Sequence, residues 1–562
     1  MHFPCSEGER QAGQDHVKQA VECGCSADFW KQSVSLTDQN RPSEPGVNFL
    51  SGNGNILQNP LYDALFAPLA NRHTPLLRLA DSAEITGHAF FTMIAGAAQA
   101  LRDAGVEPGD RVAVQIVKSP QALAIYAATV AIGAVFLPLN TAYTAPELAY
   151  FIGNATPRVL ICDPASAPAL GAIAASHATK LFTLDGAAQG SFANLMANKS
   201  DTLIPAARAD GDLAALLYTS GTTGRAKGAM LTHGNLMSNA QALAKLWQFT
   251  DRDVLLHALP IFHTHGLFVA SNVSLLTGGR MIFLPEFNAD TVLRHLPDAT
   301  TLMGVPTFYT RLLGTNGLTR SATAHMRLFV SGSAPLLAQT HEQFHARTGH
   351  HILERYGMTE TNMNTSNPYN GVRRAGTVGL PLPGTDVRIA ENGAQVAQGQ
   401  IGQIEVRGPN VFAGYWRMPD KTAEDLRPDG WFITGDLGKM DADGYLQIVG
   451  RSKDLIISGG YNIYPKEIEL LLDVVPGVEE SAVIGLPHPD LGEAVFAVLV
   501  AKPGAAVDGG IVLIALRDQL ARFKQPRDVV VVDGLPRNAM GKVQKATLRA
   551  TYADWFDPQK NV

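Results

Sequence analysis

Cysteine is scarce and poorly placed for stapling a fold: Cys5, Cys23 and Cys25 fall within the first 25 residues, and the fourth and last is Cys162. Such a set cannot cross-link a chain of 562 residues, which excludes a disulfide scaffold and points to a reducing compartment, the cytoplasm. Cys23 and Cys25 have one nearby histidine, short of the four ligands of a structural zinc site. Charge is sparse as well, at 17% of residues with a net of −6, so no basic field exists for nucleic acid or an anionic membrane. Acidic substrates must be held by local cations. The first 57 residues carry Glu7, Glu9 and Asp15 but no apolar segment of the kind a secretory signal needs, and they read as a flexible extension. One uncharged apolar stretch, ALAIYAATVAIGAVFLPL at 122–139, has the 18 residues of a membrane span, but Gly133 and Pro138 divide it. A helix followed by a buried strand is expected there, in a soluble protein.

Also missing is a phosphate loop of the Walker A type. Residues 218–228 read YTSGTTGRAKG, and Gly228 stands where a hydroxyl would have to reach magnesium. The physical logic survives the mismatch. Glycines let backbone N–H groups approach phosphate oxygens, while Thr, Ser and Lys side chains add donors.

The chain is too long for one core, so at least two domains are expected. From about 85 to 350, apolar segments such as RVAVQIV, VFLPL, RVLICD, AALLYT, VLLHALP, RMIFLP, TLMGVP and RLFVSGSA alternate with helical patterns, which predicts an α/β fold with largely parallel sheets. After about 375 the texture changes to short alternating strands, GQIEVRG and GYLQIVG, expected to form an antiparallel or barrel-like portion. The polar GRSKDLIISGG places a boundary near Gly450, giving a large domain over 58–449 and a small α+β domain over 450–562.

Six further clusters follow the opening loop in order: LPIFHTHGL at 259–267, VSGSAPL at 330–336, YGMTET at 356–361, WFITGDLG at 431–438, GRSKDLIISGGYNIYPKEIE at 450–469 and LPRNAMGKVQK at 535–545. With that loop they resemble the AMP-forming acyl-CoA synthetases over roughly residues 60–555. The chemistry such motifs serve is clear. A carboxylate is a poor electrophile, so adenylation first gives it a leaving group and a thiol then attacks. Charge developing on the phosphates calls for fixed donors, magnesium and a lysine.

The resemblance implies ATP, Mg2+ and coenzyme A as co-substrates and cofactors. It places Thr219, Ser220, Gly221, Thr222, Thr223, Gly224 and Lys227 at the β- and γ-phosphates, Thr359 at the α-phosphate and Glu360 at magnesium. Tyr356 and Gly357 would meet the adenine with Gly332, Ser333 and Ala334, and Asp436 and Arg451 would hold the ribose. Lys542 would bridge the substrate carboxylate and the α-phosphate. His263 would gate the acyl channel beside Ser331 and Met358; His265 fits either a site or a core role. The small domain would turn about Lys453 between half-reactions, bringing Gly459 and Gly460 to the pantetheine path and withdrawing Lys542. Acetylation of Lys542 would remove its charge, making an acetyltransferase and a deacetylase the implied macromolecular partners.

For the acid itself, the residues offer Arg311 in VPTFYTRLL. A guanidinium among Phe308, Tyr309 and Leu312 would suit a second carboxylate, hence a small dicarboxylic acid; an outward-facing helical arginine is the plainer reading. A short- or medium-chain or aryl acid, or a non-catalytic acyl-adenylate-binding protein, are the alternatives, the last at odds with the presence of Glu360 and Lys542.

Overall fold

The computed structural model describes residues 59–197, 202–219, 226–459, 461–517, 519–538 and 541–557. The expected N-terminal extension, Ser220 to Gly224 of the opening loop, and Gly460 lie outside the described residues. Two mainly parallel sheets form the body. One has six strands in the order Lys180–Thr183, Val159–Cys162, Arg111–Gln115, Val135–Pro138, Leu213–Thr219, Lys227–Thr232. All neighbours run parallel except the last two, which form the hairpin carrying the opening loop. The other has nine strands, with Leu353–Met358, Leu328–Ser331, Thr301–Gly304, Val254–His257 and Arg280–Phe283 adjacent at its centre. These strands are short and buried on both faces, the pattern parallel sheets impose.

The uncharged run resolves into the helix Pro120–Ala131 and the strand Val135–Pro138. Ser119 caps the helix through the Ala122 N–H, and Pro120 occupies its first turn, where the missing N–H costs nothing. Every residue from Ala122 to Ala131 is buried, so the run is apolar because the helix lies inside the protein. Tyr126 joins the layers: its ring lies 5.2 Å from Phe136 of the six-stranded sheet and 5.8 Å from Phe268 beyond it. No helix among the described residues is long and apolar enough to cross a membrane.

The antiparallel portion is an open five-stranded sheet built from Asp386–Glu391, Ala394–Gln395, Gly402–Arg407, Phe432–Met440 and Leu446–Arg451. No barrel closes among the described residues; Ala394–Gln395, only two residues long, ends the sheet at one edge and Leu446–Arg451 at the other. Sheet membership then changes. Ile456–Ser458 begins a separate sheet with Tyr461–Ile463, Val478–His488, Gly492–Ala501 and Asp528–Val532, covered by the helices Pro465–Leu472 and Gly509–Leu516. The architecture is thus α/β, a large N-terminal domain followed by a C-terminal one.

Candidate active site

The central strands of the nine-stranded sheet deliver the site. The strand Leu353–Met358 ends in a turn, Thr359 and Glu360, before the antiparallel Asn362–Ser366. Glu360 is buried, and burial raises its carboxyl above the usual range. Its Oε1 accepts from the Tyr415 hydroxyl at 3.2 Å and the Thr219 hydroxyl at 3.4 Å. Among the described residues no cation pairs directly with it, so a buried carboxylate with neutral partners stands beside the phosphate-loop hairpin. That arrangement suits a divalent cation. Lys227 approaches through Tyr415: its ammonium donates to the Tyr415 hydroxyl at 3.1 Å and pairs with Asp425 at 3.3 Å. The lysine expected at the β- and γ-phosphates is thus buried behind the carboxylate, held by Asp425, which sequence reasoning passed over.

Tyr356 and the antiparallel sheet form a second group. The Tyr356 hydroxyl donates to Asp436 Oδ2 at 2.5 Å, and Arg451 Nε meets Asp436 Oδ1 at 2.7 Å. Asp436 and Arg451 face each other on adjacent strands, which gives the pair its reach. Burial, then the Asp436 charge, holds the Tyr356 phenol well above its usual value. A carboxylate fixed on one side by a phenol and on the other by a guanidinium can accept from two neighbouring hydroxyls. Ser333, with φ +72°, turns the chain sharply after Gly332.

The third group gathers His263, His265 and Arg355. His263 and His265 precede and begin the π-helix His265–Ser271, a rare geometry often found at functional sites. His265 is buried, with Nδ1 against Ser333 Oγ at 3.3 Å and Nε2 without a partner. Burial and then the neighbouring Arg355 guanidinium push His263 down to about 4 and lower His265 as well, so both imidazoles are neutral. Arg355 is the residue that sequence reasoning missed. It is buried in the strand Leu353–Met358, and its Nε and Nη2 have no hydrogen-bond partner among the described residues. Burial lowers the guanidinium to about 9. A side chain on Gly332 would collide with it, so the glycine makes room for the guanidinium. Ser331 Oγ and Thr264 Oγ1 are buried and unpartnered too. The signal in the sequence was the adjacent charged pair Glu354 and Arg355 inside the strand LERYGM.

Arg311 lies elsewhere. It occupies the helix Pro306–Leu313, whose buried side chains are Phe308, Tyr309 and Leu312, while Arg311 itself is exposed. An apolar setting in sequence becomes two faces of one helix turn, and the arginine falls on the wet one. It does share a face, one turn on, with Thr307, which abuts the Lys542 turn: a Cβ on Gly541 would sit 3.3 Å from the Thr307 side chain. Lys542 keeps solvent exposure, yet desolvation and then the Arg451 charge hold its ammonium down to about 8. The structure therefore docks the lysine turn on the large domain, beside the Asp436–Arg451 pair. Lys453 lies on the turn Ser452–Asp454 between the two sheets, and Gly459, with φ +55°, lies exposed on the C-terminal one. Met358 ends its strand half-buried, and Ala334 follows Ser333, also half-buried.

A buried carboxylate beside a hairpin, a carboxylate held between a phenol and a guanidinium, and a docked lysine fit a protein that activates acids with a nucleotide. The family model for AMP-binding enzymes matches residues 70–416 and that for their C-terminal domain residues 467–542, so the chain belongs to the AMP-binding enzyme family. It is an AMP-forming acid–CoA ligase. A malonate–CoA ligase of Arabidopsis thaliana is 36% identical over 74% of this chain and 74% of its own length. A feruloyl-CoA synthase of an Amycolatopsis species is 38% identical over 82% of this chain and 92% of its own. Among solved structures, ATP-bound MatB from Rhodopseudomonas palustris is 54% identical, covers 89% of this chain and all of its own, and superposes with a TM-score of 0.87.

Proposed function

We propose that the chain ligates malonate to coenzyme A through a malonyl-adenylate, releasing AMP and pyrophosphate, with methylmalonate as a second substrate. The observation that carries this reading is Arg355: a buried guanidinium with two nitrogens unpartnered among the described residues, close to His263 and His265 and packed on Gly332. A buried cation without a counter-charge is costly, and an acid with a second carboxylate supplies what is missing through a bidentate pair. An aryl or medium-chain acid would instead lay apolar surface against that charge. The malonate–CoA ligase relative and the MatB neighbour favour the same reading.

In this scheme Glu360 would hold Mg2+, which would supply charge compensation for the leaving pyrophosphate. Asp436 and Arg451 orient the ribose, Thr359 and the loop of residues 219–227 hold the phosphates, and Lys542 steadies the attacking carboxylate against the α-phosphate. Residues 450–562 then turn about Lys453, withdrawing Lys542 and bringing Gly459 to the thiol path. The compartment proposed is the cytoplasm. AMP release measured with acetate, malonate, methylmalonate, succinate and octanoate, with and without coenzyme A, tests the assignment. Malonate should give the highest kcat/KM and need coenzyme A for thioester release; a higher value for octanoate would overturn it.

A further inference from the structure

Near His265 lies a polar pair, His257 buried and Lys118 half-buried, that none of the chemistry above uses. Lys118 follows the strand Arg111–Gln115 of one sheet, and His257 ends the strand Val254–His257 of the other. The Lys118 ammonium lies 2.9 Å from His257 Nδ1 and 2.8 Å from the His257 carbonyl, with its charge 4.3 Å above the Phe283 ring. On the far side of the imidazole, Nε2 meets the Gly266 carbonyl at 2.9 Å and Ser271 Oγ at 3.1 Å. The Ser271 hydroxyl donates to the same carbonyl at 2.9 Å.

The geometry fixes the proton. A carbonyl can only accept, so His257 Nε2 must carry the hydrogen, and the bare Nδ1 of a neutral imidazole then accepts from Lys118. Burial favours that neutral form. Gly266 and Ser271 stand five residues apart in the π-helix His265–Ser271, the spacing of a π-turn. Thus His257 binds both ends of the turn through one carbonyl and one hydroxyl. From the other side the turn is pressed so closely on the Pro260 carbonyl that any side chain on Gly266 would collide with it. Clamped between Pro260 and His257, the turn has one register, and His265 immediately precedes Gly266.

We propose that Lys118 and His257 are positioning residues for acid selection, holding the π-turn in the register that faces His265 and His263 toward Arg355. The inference rests on the reading of Arg355 as the receptor for a second carboxylate, and its scope is the wall opposite that guanidinium. Neither residue touches substrate. Loss of the clamp should therefore act on the acid and leave the nucleotide alone.

Three variants test it. Lys118→Met keeps the stem over Phe283 and removes the donor. His257→Leu removes every hydrogen bond of the ring, and His257→Gln offers an amide that can both donate to Gly266 and accept from Lys118. With Lys118→Met and His257→Leu, kcat/KM for malonate should fall roughly 10- to 100-fold, the scale of a displaced positioning group, mainly through the KM of the acid. The KM for ATP should hold, kcat/KM for butyrate should change little, and His257→Gln should recover most of the loss. Equal losses for malonate and butyrate, with His257→Gln no better than His257→Leu, would overturn the proposal, as would no loss in Lys118→Met. If the wild-type enzyme prefers another acid to malonate, the malonate reading fails on that result alone; the clamp is then judged by the same ratio with the preferred acid in place of malonate.

Discussion

Arg311 and Arg355 separate what one residue can tell from what its neighbours must supply. Both are arginines in short segments that mix polar and apolar residues, PTFYTRLL and LERYGM, and only the backbone decides between them: a helix turn sends Arg311 outward, while a strand buried on both faces keeps Arg355 inside. The arginine that sequence reasoning named for a second carboxylate is the exposed Arg311, and the buried Arg355 went unnoticed, since helix and strand cannot be distinguished within eight residues of mixed polarity. The prediction follows the buried one. Arg355→Leu should cost malonate roughly 2–5 kcal/mol in kcat/KM, about 30-fold to several thousand-fold, and spare or improve butyrate. Arg311→Leu should change the ratio of the two acids far less. Steady-state kinetics of both variants with both acids decide it, and the opposite ranking would return the role to Arg311.

At the scale of elements, the parallel strands were the most legible part of the chain. Residues 254–257, 280–283, 301–304 and 328–331 form strands within the expected segments, because a strand covered on both faces must be apolar throughout. The turn at Thr359 and Glu360 was legible only as a motif, and the π-helix His265–Ser271 not at all, since it depends on Pro260 and His257 reaching it from elsewhere. Another unforeseen element is a histidine cluster on the helix Ala338–Thr348 and the segment after it. His341 Nε2 lies 3.2 Å from His351 Nδ1, and the His345 and His351 rings stack at 3.6 Å. Burial, then the neighbouring histidines, lowers His341 to about 4. A folded value below the unfolded one of about 6.5 means stability is full above pH 6.5 and drains as pH falls toward 4. His341 alone should account for about 3 kcal/mol by pH 4, at ~1.4 kcal/mol per unit. Thermal melts of wild type and His341→Gln between pH 4 and 7.5 check this: the variant should lose less on acidification, and parallel curves would dismiss it.

For the molecule as a whole, the docked lysine turn sets the expectations. Lys542→Ala should abolish adenylate formation and spare thioester formation from supplied acyl-adenylate and coenzyme A; loss of both in a folded variant would remove the lysine from its role. The docking contact can also be locked. A Cβ on Gly541 would stand 3.9 Å from Thr307 Cβ, within the range a disulfide spans. With Thr307→Cys and Gly541→Cys, oxidation should preserve pyrophosphate exchange and block thioester release, with recovery on reduction, although φ +73° at Gly541 adds some strain. An oxidised, cross-linked enzyme with full turnover would show that the domains need not part. The same contact bears on timing. Lys542 loses proton affinity when it docks beside Arg451, so docking with the charge retained is disfavoured until an anion arrives to compensate. Carboxylate and nucleotide phosphates provide that compensation, which couples occupancy to the docked pose by mass action. With Lys542 in its proposed role, the order of events, substrates first and lysine second, would need no latch: an anion in the site would tighten the hold on the cation.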